Sequence, residues 1–275
     1  DNIIDDYVLT QNIVNIESVI LSRSLITDLT GIEDFFSLNY LRIDETPISI
    51  LDISKNKNLT TLVLERTNLN SFEILNNSSL ESVALNWFIN NNGTLNISGN
   101  SNLKQFDMRS GSYSLLNISE NPKLTNISLF DTAASSISVE GNDDLGAFVM
   151  ESNSSIASLI IENNNSLEQI NIISSLTAPL INLSLDFSSN GNLKRLMIPF
   201  LNIDSLNISQ NTLLETLIIR GNLIASLDIS HILDLINLDA INNPLTCIKA
   251  NQDQLDNPPV TWEEDPEDFY SLTCD

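Results

Sequence analysis

Apolar residues recur along the chain in the form Leu-x-x-Leu-x-Leu. The first leucines of these segments are Leu38, Leu59, Leu80, Leu103, Leu124, Leu145, Leu167, Leu193, Leu214 and Leu235, at intervals of 21, 21, 23, 21, 21, 22, 26, 21 and 21 residues. Ile16, Val19 and Leu21 fill the same template as a partial earlier unit. About 13 residues after the anchor a second apolar pair recurs, as in Leu51-Asp52-Ile53-Ser54, Leu116-Asn117-Ile118-Ser119 and Leu227-Asp228-Ile229-Ser230. Apolar and polar positions alternate within both segments, and no unit holds the roughly 10 to 12 residues at helical period that a crossover helix needs. Each unit therefore predicts two short strands, and the whole a flattened coil of stacked turns.

Three residues after the last apolar position of the second segment stand Asn56, Asn77, Asn100, Asn121, Asn142, Asn164 and Asn211, with Ser188 and Ile232 as exceptions. An inward asparagine bonds backbone groups of neighbouring turns that a tight corner leaves unpaired. The column is expected to be a buried ladder.

These segments resemble the leucine-rich repeat family, in the short 21-residue form with Leu-x-x-Leu-x-Leu followed by Leu-Asp-Ile-Ser-x-Asn that is common in surface proteins of Bacteroidota. The opening segment Ile26-Thr27-Asp28-Leu29-Thr30-Gly31-Ile32-Glu33-Asp34-Phe35 is similar to the first turn of internalin-like repeats. The resemblance implies a right-handed leucine-rich repeat solenoid of about ten turns, of the α/β horseshoe superfamily but mostly β with little helix. It also implies one domain over 1–275, with an opening turn in 1–37, repeats in 38–244 and a C-terminal cap in 245–275. That family places an asparagine after the first strand. Here only Asn153, Asn222 and Asn243 hold that place, while Thr46, Thr67 and Thr132 replace it.

Both cysteines, Cys247 and Cys274, fall in the C-terminal segment. Their even number is compatible with one disulfide and too small for a four-ligand metal site. Their arrangement is similar to the closing segment before sorting domains in type IX secreted proteins, which implies a disulfide-capped end and a secreted or cell-surface location.

Charge narrows the partners. With 12 basic and 36 acidic residues the net charge is −24, so the chain repels polyanions and lacks the basic footprint of a nucleic-acid binder. Hydrophobic residues make up 42% of the chain, enough for a buried core, so the acids belong on the surface. No apolar run reaches the roughly 18 residues of a membrane-spanning helix, and membrane insertion is not expected. The chain opens Asp1-Asn2-Ile3-Ile4 without a methionine or a leader, as a mature form or an excised piece would.

The catalytic motifs are weak. His231 is the single histidine and adjoins Ser230; neighbours on an extended segment point to opposite faces, so the pair predicts a solvated turn histidine, not a nucleophile and base. Asp44 and Glu65 sit on neighbouring turns at a separation a glycosidase could use, but any acidic column makes such pairs. Acids at Asp1, Asp5 and Asp6, and at Glu263, Glu264, Asp265, Glu267 and Asp268, form no EF-hand loop and predict solvated ends, with no metal and no cofactor. The triplets Asp131-Thr132-Ala133 and Asp204-Ser205-Leu206 resemble the O-glycosylation signal of Bacteroidota. Asn-x-Ser/Thr triplets such as Asn96-Ile97-Ser98 follow from the repeat itself.

Polar positions interleaved in the first strand predict a column on a concave face: Tyr40, Thr61, Ser82, Gln105, Asn126, Ala147, Gln169, Arg195, Thr216 and Asn237. Beside it lie Arg42, Lys104, Arg109, Lys194 and Arg220 together with Glu81, Asp107, Glu151, Glu168 and Glu215, so this face is mixed in sign while the back is acidic. Two longer units carry insertions, around Asn86–Thr94 with Trp87 and Phe88, and around Ile173–Leu180. The expected function is non-enzymatic extracellular recognition or adhesion. The candidate ligand-binding residues are Trp87, Phe88, Tyr40, Arg42, Arg109, Arg195 and Arg220, and the partner is a protein or a glycan. A structural spacer and a glycan-active enzyme are the alternatives.

Overall fold

The computed structural model describes residues 10–69, 71–86, 93–152, 156–174 and 183–274. Within them the chain winds into a β-solenoid. The first strands of successive units stack in one parallel row from Ser18–Ser22 through Tyr40–Asp44, Thr61–Glu65 and Ser82–Asn86 to Asn237–Asp239 and Trp262–Glu263. This row of twelve strands gives about eleven turns, because the Ile16 unit forms a full turn and the cap adds a last strand. A second row holds Phe72–Leu75, Gly93–Ser98, Ser158–Glu162, the pair Leu183–Asp186 and Ile203–Asn207, and the trio Leu227–Asp228, Cys247–Lys249 and Phe269–Ser271. Gln105–Ser119 and Asn126–Glu140, each 15 residues long, run through both rows without a break.

Alternation explains the layers. In Thr61–Glu65, Leu62 and Leu64 point inward and are fully buried while Thr61, Val63 and Glu65 stay half-exposed, and the second row repeats this with Leu116 and Ile118. The anchors Leu38, Leu59, Leu80, Leu103, Leu124, Leu145, Leu167, Leu193 and Leu214 are all fully buried. One continuous core results, widened by Phe106, Phe148 and Phe187.

Every corner must turn the chain without orphaning its amides. At many of the described corners the solution is a single left-handed residue: Glu45, Arg66, Ser110 and Asp131 at the first corner, and Asn76, Gly99, Glu120 and Gly141 at the second, all have φ between 47° and 71°. This conformation costs an L-residue roughly 1–3 kcal/mol. It keeps the amide aimed at the next turn, as in Glu45 N–H to Glu65 O (3.1 Å) and Glu120 N–H to Glu140 O (2.9 Å).

The asparagine ladder fills the next position. Asn121 Nδ2 donates to Ile97 O at 3.0 Å, and its Oδ1 accepts the backbone N–H of Asn100 at 3.0 Å. The pattern repeats at Asn100, Asn142, Asn164 and Asn190, while Asn77 makes the donor half of it to Ile53 O. Asn190, not Ser188, holds the place in the 26-residue unit, because Phe187 rather than Leu185 is its last inward residue. At the other exception the structure replaces the asparagine. His231 is half-buried, and its Nε2 lies 3.0 Å from Ile208 O, so it is a ladder substitute and not a solvated turn residue. Gln254 then closes the column, donating to Ile229 O and Ile232 O at 3.2 and 2.8 Å. At the first corner, Asn222 and Asn243 act in the same way on Ile198 O and Ile219 O, while Thr46 and Thr132 donate to carbonyls of their own turn.

The C-terminal end is covered by Gln252–Asp256, whose capping box pairs Asn251 with Gln254, and by Leu255, Trp262 and Tyr270 packed on the core. Cys247 and Cys274 form a disulfide with Cα atoms 5.7 Å apart. Closing this loop contributes about 3.5 kcal/mol on the chain-entropy model. Lys249 reaches back to Asp228 at 2.8 Å. Burial works against the Asp228 carboxylate, but hydrogen bonds from Lys249 and Ser230 outweigh it and pull its pKa down to about 2.

Two outcomes follow from these contacts. Asn121→Ala strands one buried donor and one buried acceptor, and should lower unfolding free energy in urea by about 2–5 kcal/mol, as much as the core truncation Leu124→Ala. Asp228 is depressed in the folded state, so its contribution is complete above pH about 4 and disappears as pH falls toward 2. The stability gap between the wild type and Asp228→Asn should therefore close over that interval in urea titrations and stay constant above it.

Candidate binding face

The outward residues of the first row stand in strict register. Tyr40 pairs with Thr61, Thr61 with Ser82, Ser82 with Gln105, Gln105 with Asn126, Asn126 with Ala147, and the column continues through Gln169, Arg195, Thr216 and Asn237. Parallel pairing sets these side chains about 4.8 Å apart. The column is polar but partly self-satisfied: Gln105 donates to Asp107 at 2.6 Å and Asn237 to Thr216 at 3.3 Å.

Most cations on this face are engaged by an acid one turn away. Arg42 meets Glu65 at 2.7 Å, and Arg66 bridges Asp44 at 2.6 Å and Glu45 at 3.1 Å. Lys104 pairs with Glu81 at 2.9 Å, Lys194 with Glu168 at 2.8 Å and Arg220 with Asp239 at 3.0 Å. The bond to Glu168 raises the Lys194 pKa. Burial pushes Asp239 upward in spite of Arg220. Such half-exposed pairs contribute about 0–1 kcal/mol each, so they organise the face more than they stabilise it.

Two arginines of the predicted set differ. Arg109 lies 5.2 Å from the centroid of Phe130, its partner in the next turn, an attraction of about 0.5–1 kcal/mol at an exposed site. Arg195 is exposed and makes no ion pair among the described residues. It lines a shallow depression of about 110 Å³ with Glu168, Gln169, Lys194 and Glu215. Tyr40 is half-buried in the second strand of the row, paired with Ser18 before it and two residues from Arg42. Trp87, Phe88 and most of both insertions lie outside the described residues. Phe130 was absent from the sequence-derived set; the signal for it was its position 21 residues after Arg109.

The chemical candidates separate clearly. Asp44 and Glu65 are register partners, yet each is held by an arginine, which leaves neither free as an acid or base. His231 faces a backbone carbonyl, and Ser230 donates to Asp228 at 2.6 Å, so no nucleophile and base are assembled there. Thr132 is fully buried and bonded to Phe130 O, which removes it as an acceptor for a sugar, whereas Ser205 is exposed. Among the described residues, no three potential ligands stand close enough to hold a metal ion.

No family model matches the chain, and no curated protein does so either. Among solved structures it is similar to an internalin, InlF, of Listeria monocytogenes str. 4b F2365. That likeness has 16% identity and a TM-score of 0.40, covering 98% of this chain and 90% of that one. It is also similar to the functional domain of InlJ of Listeria monocytogenes, described as including a cysteine ladder, with 18% identity and a TM-score of 0.32 over 87% of this chain and 70% of that one.

Proposed function

We propose that the chain is a non-enzymatic recognition module that works outside the cytoplasm and binds a protein partner through the outer face of its first strand row. The observation that carries this reading is Arg195: an exposed guanidinium, in register with the polar column, on a face where neighbouring cations are already neutralised. The planar guanidinium fork loses less freedom per hydrogen bond formed than an ammonium and suits a carboxylate of a partner, while Arg109 on Phe130 offers a second anchor. The disulfide supports an oxidising compartment.

The test is a binding screen of the chain against arrays of extracellular proteins and of glycans, with Arg195→Glu alongside. The expected result is a specific protein hit that weakens about tenfold or more in the variant, equivalent to roughly 1.4 kcal/mol. A hit confined to glycans would change the ligand class. Binding unaffected by Arg195→Glu would remove this face, and no hit at all would favour a spacer.

A further inference from the structure

The outer face of the second row carries a different charge pattern. From Phe72–Leu75 through Gly93–Ser98, Ser158–Glu162, Leu183–Asp186 and Ile203–Asn207, and in the second halves of the two long strands, there is no lysine or arginine among the described residues. Glu140 and Glu162 are direct register partners, about 4.8 Å apart. Like charges directly opposite one another destabilise a sheet. The first row meets the same problem at Asp44 and Glu65 and solves it with Arg66 and Arg42. Neither Glu140 nor Glu162 has an ion-pair partner among the described residues.

A groove of about 540 Å³ opens on the Glu140 side of this pair, lined by Leu115, Asn117, Glu120, Ser138, Glu140 and Asn163 among others, with Glu162 at its margin beside Asn163. Within the groove Leu115 is 38% exposed, an apolar surface for the methylenes of a long side chain beside carboxylates for its head, and Ile160, equally exposed, lies outside it on the next-but-one strand. The molecule itself shows the geometry such a head adopts, in Arg66 spanning Asp44 and Glu45 of the adjacent turn. The acids here are not grouped closely enough to hold a metal ion.

We propose that this groove docks an arginine-bearing, extended basic segment of a partner protein, whose guanidinium supplies the counter-charge that this stretch of the second row lacks. The surface is separate from the Arg195 face and does not depend on it. The test is calorimetric titration of the full chain with nona-arginine at two salt concentrations. Glu140→Gln/Glu162→Gln should weaken binding about tenfold or more, whereas Asp253→Asn/Asp256→Asn, an equal charge change on the exposed cap helix, and Arg195→Glu should each change it by about twofold or less. Equal losses in the two double variants would assign the binding to the diffuse field of the acidic chain and overturn the proposal, as would no loss in either. Removal of the repulsion should also leave the thermal midpoint of Glu140→Gln/Glu162→Gln unchanged or raised. A lowered midpoint would mark the pair as structural and overturn the proposal as well.

Discussion

The structure depends on one requirement: at each corner of each turn, a backbone that changes direction must still donate and accept hydrogen bonds between turns. A left-handed residue keeps its amide on the neighbouring carbonyl, and the residue after it turns inward, where an asparagine can bond the turn before it twice. Both features are costly alone, one in backbone strain and the other in burying an amide side chain. Together they leave the backbone amides of these corners paired, and the leucines and isoleucines of the two rows can then close over one continuous core.

That constraint was legible in the chain wherever the period held. The anchors, the polar column and the ladder from Asn77 to Asn164 follow from the 21-residue spacing, since residues one period apart must stack. It became illegible where the period slipped. In the 26-residue unit the inward aromatic Phe187 displaced the apparent end of the segment by two residues and hid Asn190. Near the C-terminus, His231 and Gln254 perform the same bonding with different chemistry, which a search for asparagine cannot find. The binding face was legible as positions and not as states: which arginines are neutralised depends on diagonal reaches across turns that sequence spacing leaves open.

Charge is the second organising theme. The first row interleaves cations with acids and neutralises them across turns, leaving Arg195 available; the second row, in its described strands from Phe72 to Asn207, stacks acids without cations, and Lys249 answers Asp228 only near the cap. A solenoid makes such segregation easy, because any choice at one repeat position becomes a column. The same rigidity that fixes these columns makes them usable for recognition, since little is lost in ordering them on binding.

The most direct test of this account is native-state hydrogen exchange at the backbone amides of Asn77, Asn100, Asn121, Asn142 and Asn164, each bonded to the side-chain oxygen of the next ladder asparagine. If the ladder holds the solenoid together, these amides exchange only through global unfolding, as slowly as those of the buried strand residues. Exchange at the rate of exposed loop amides, in a chain otherwise folded, would contradict it.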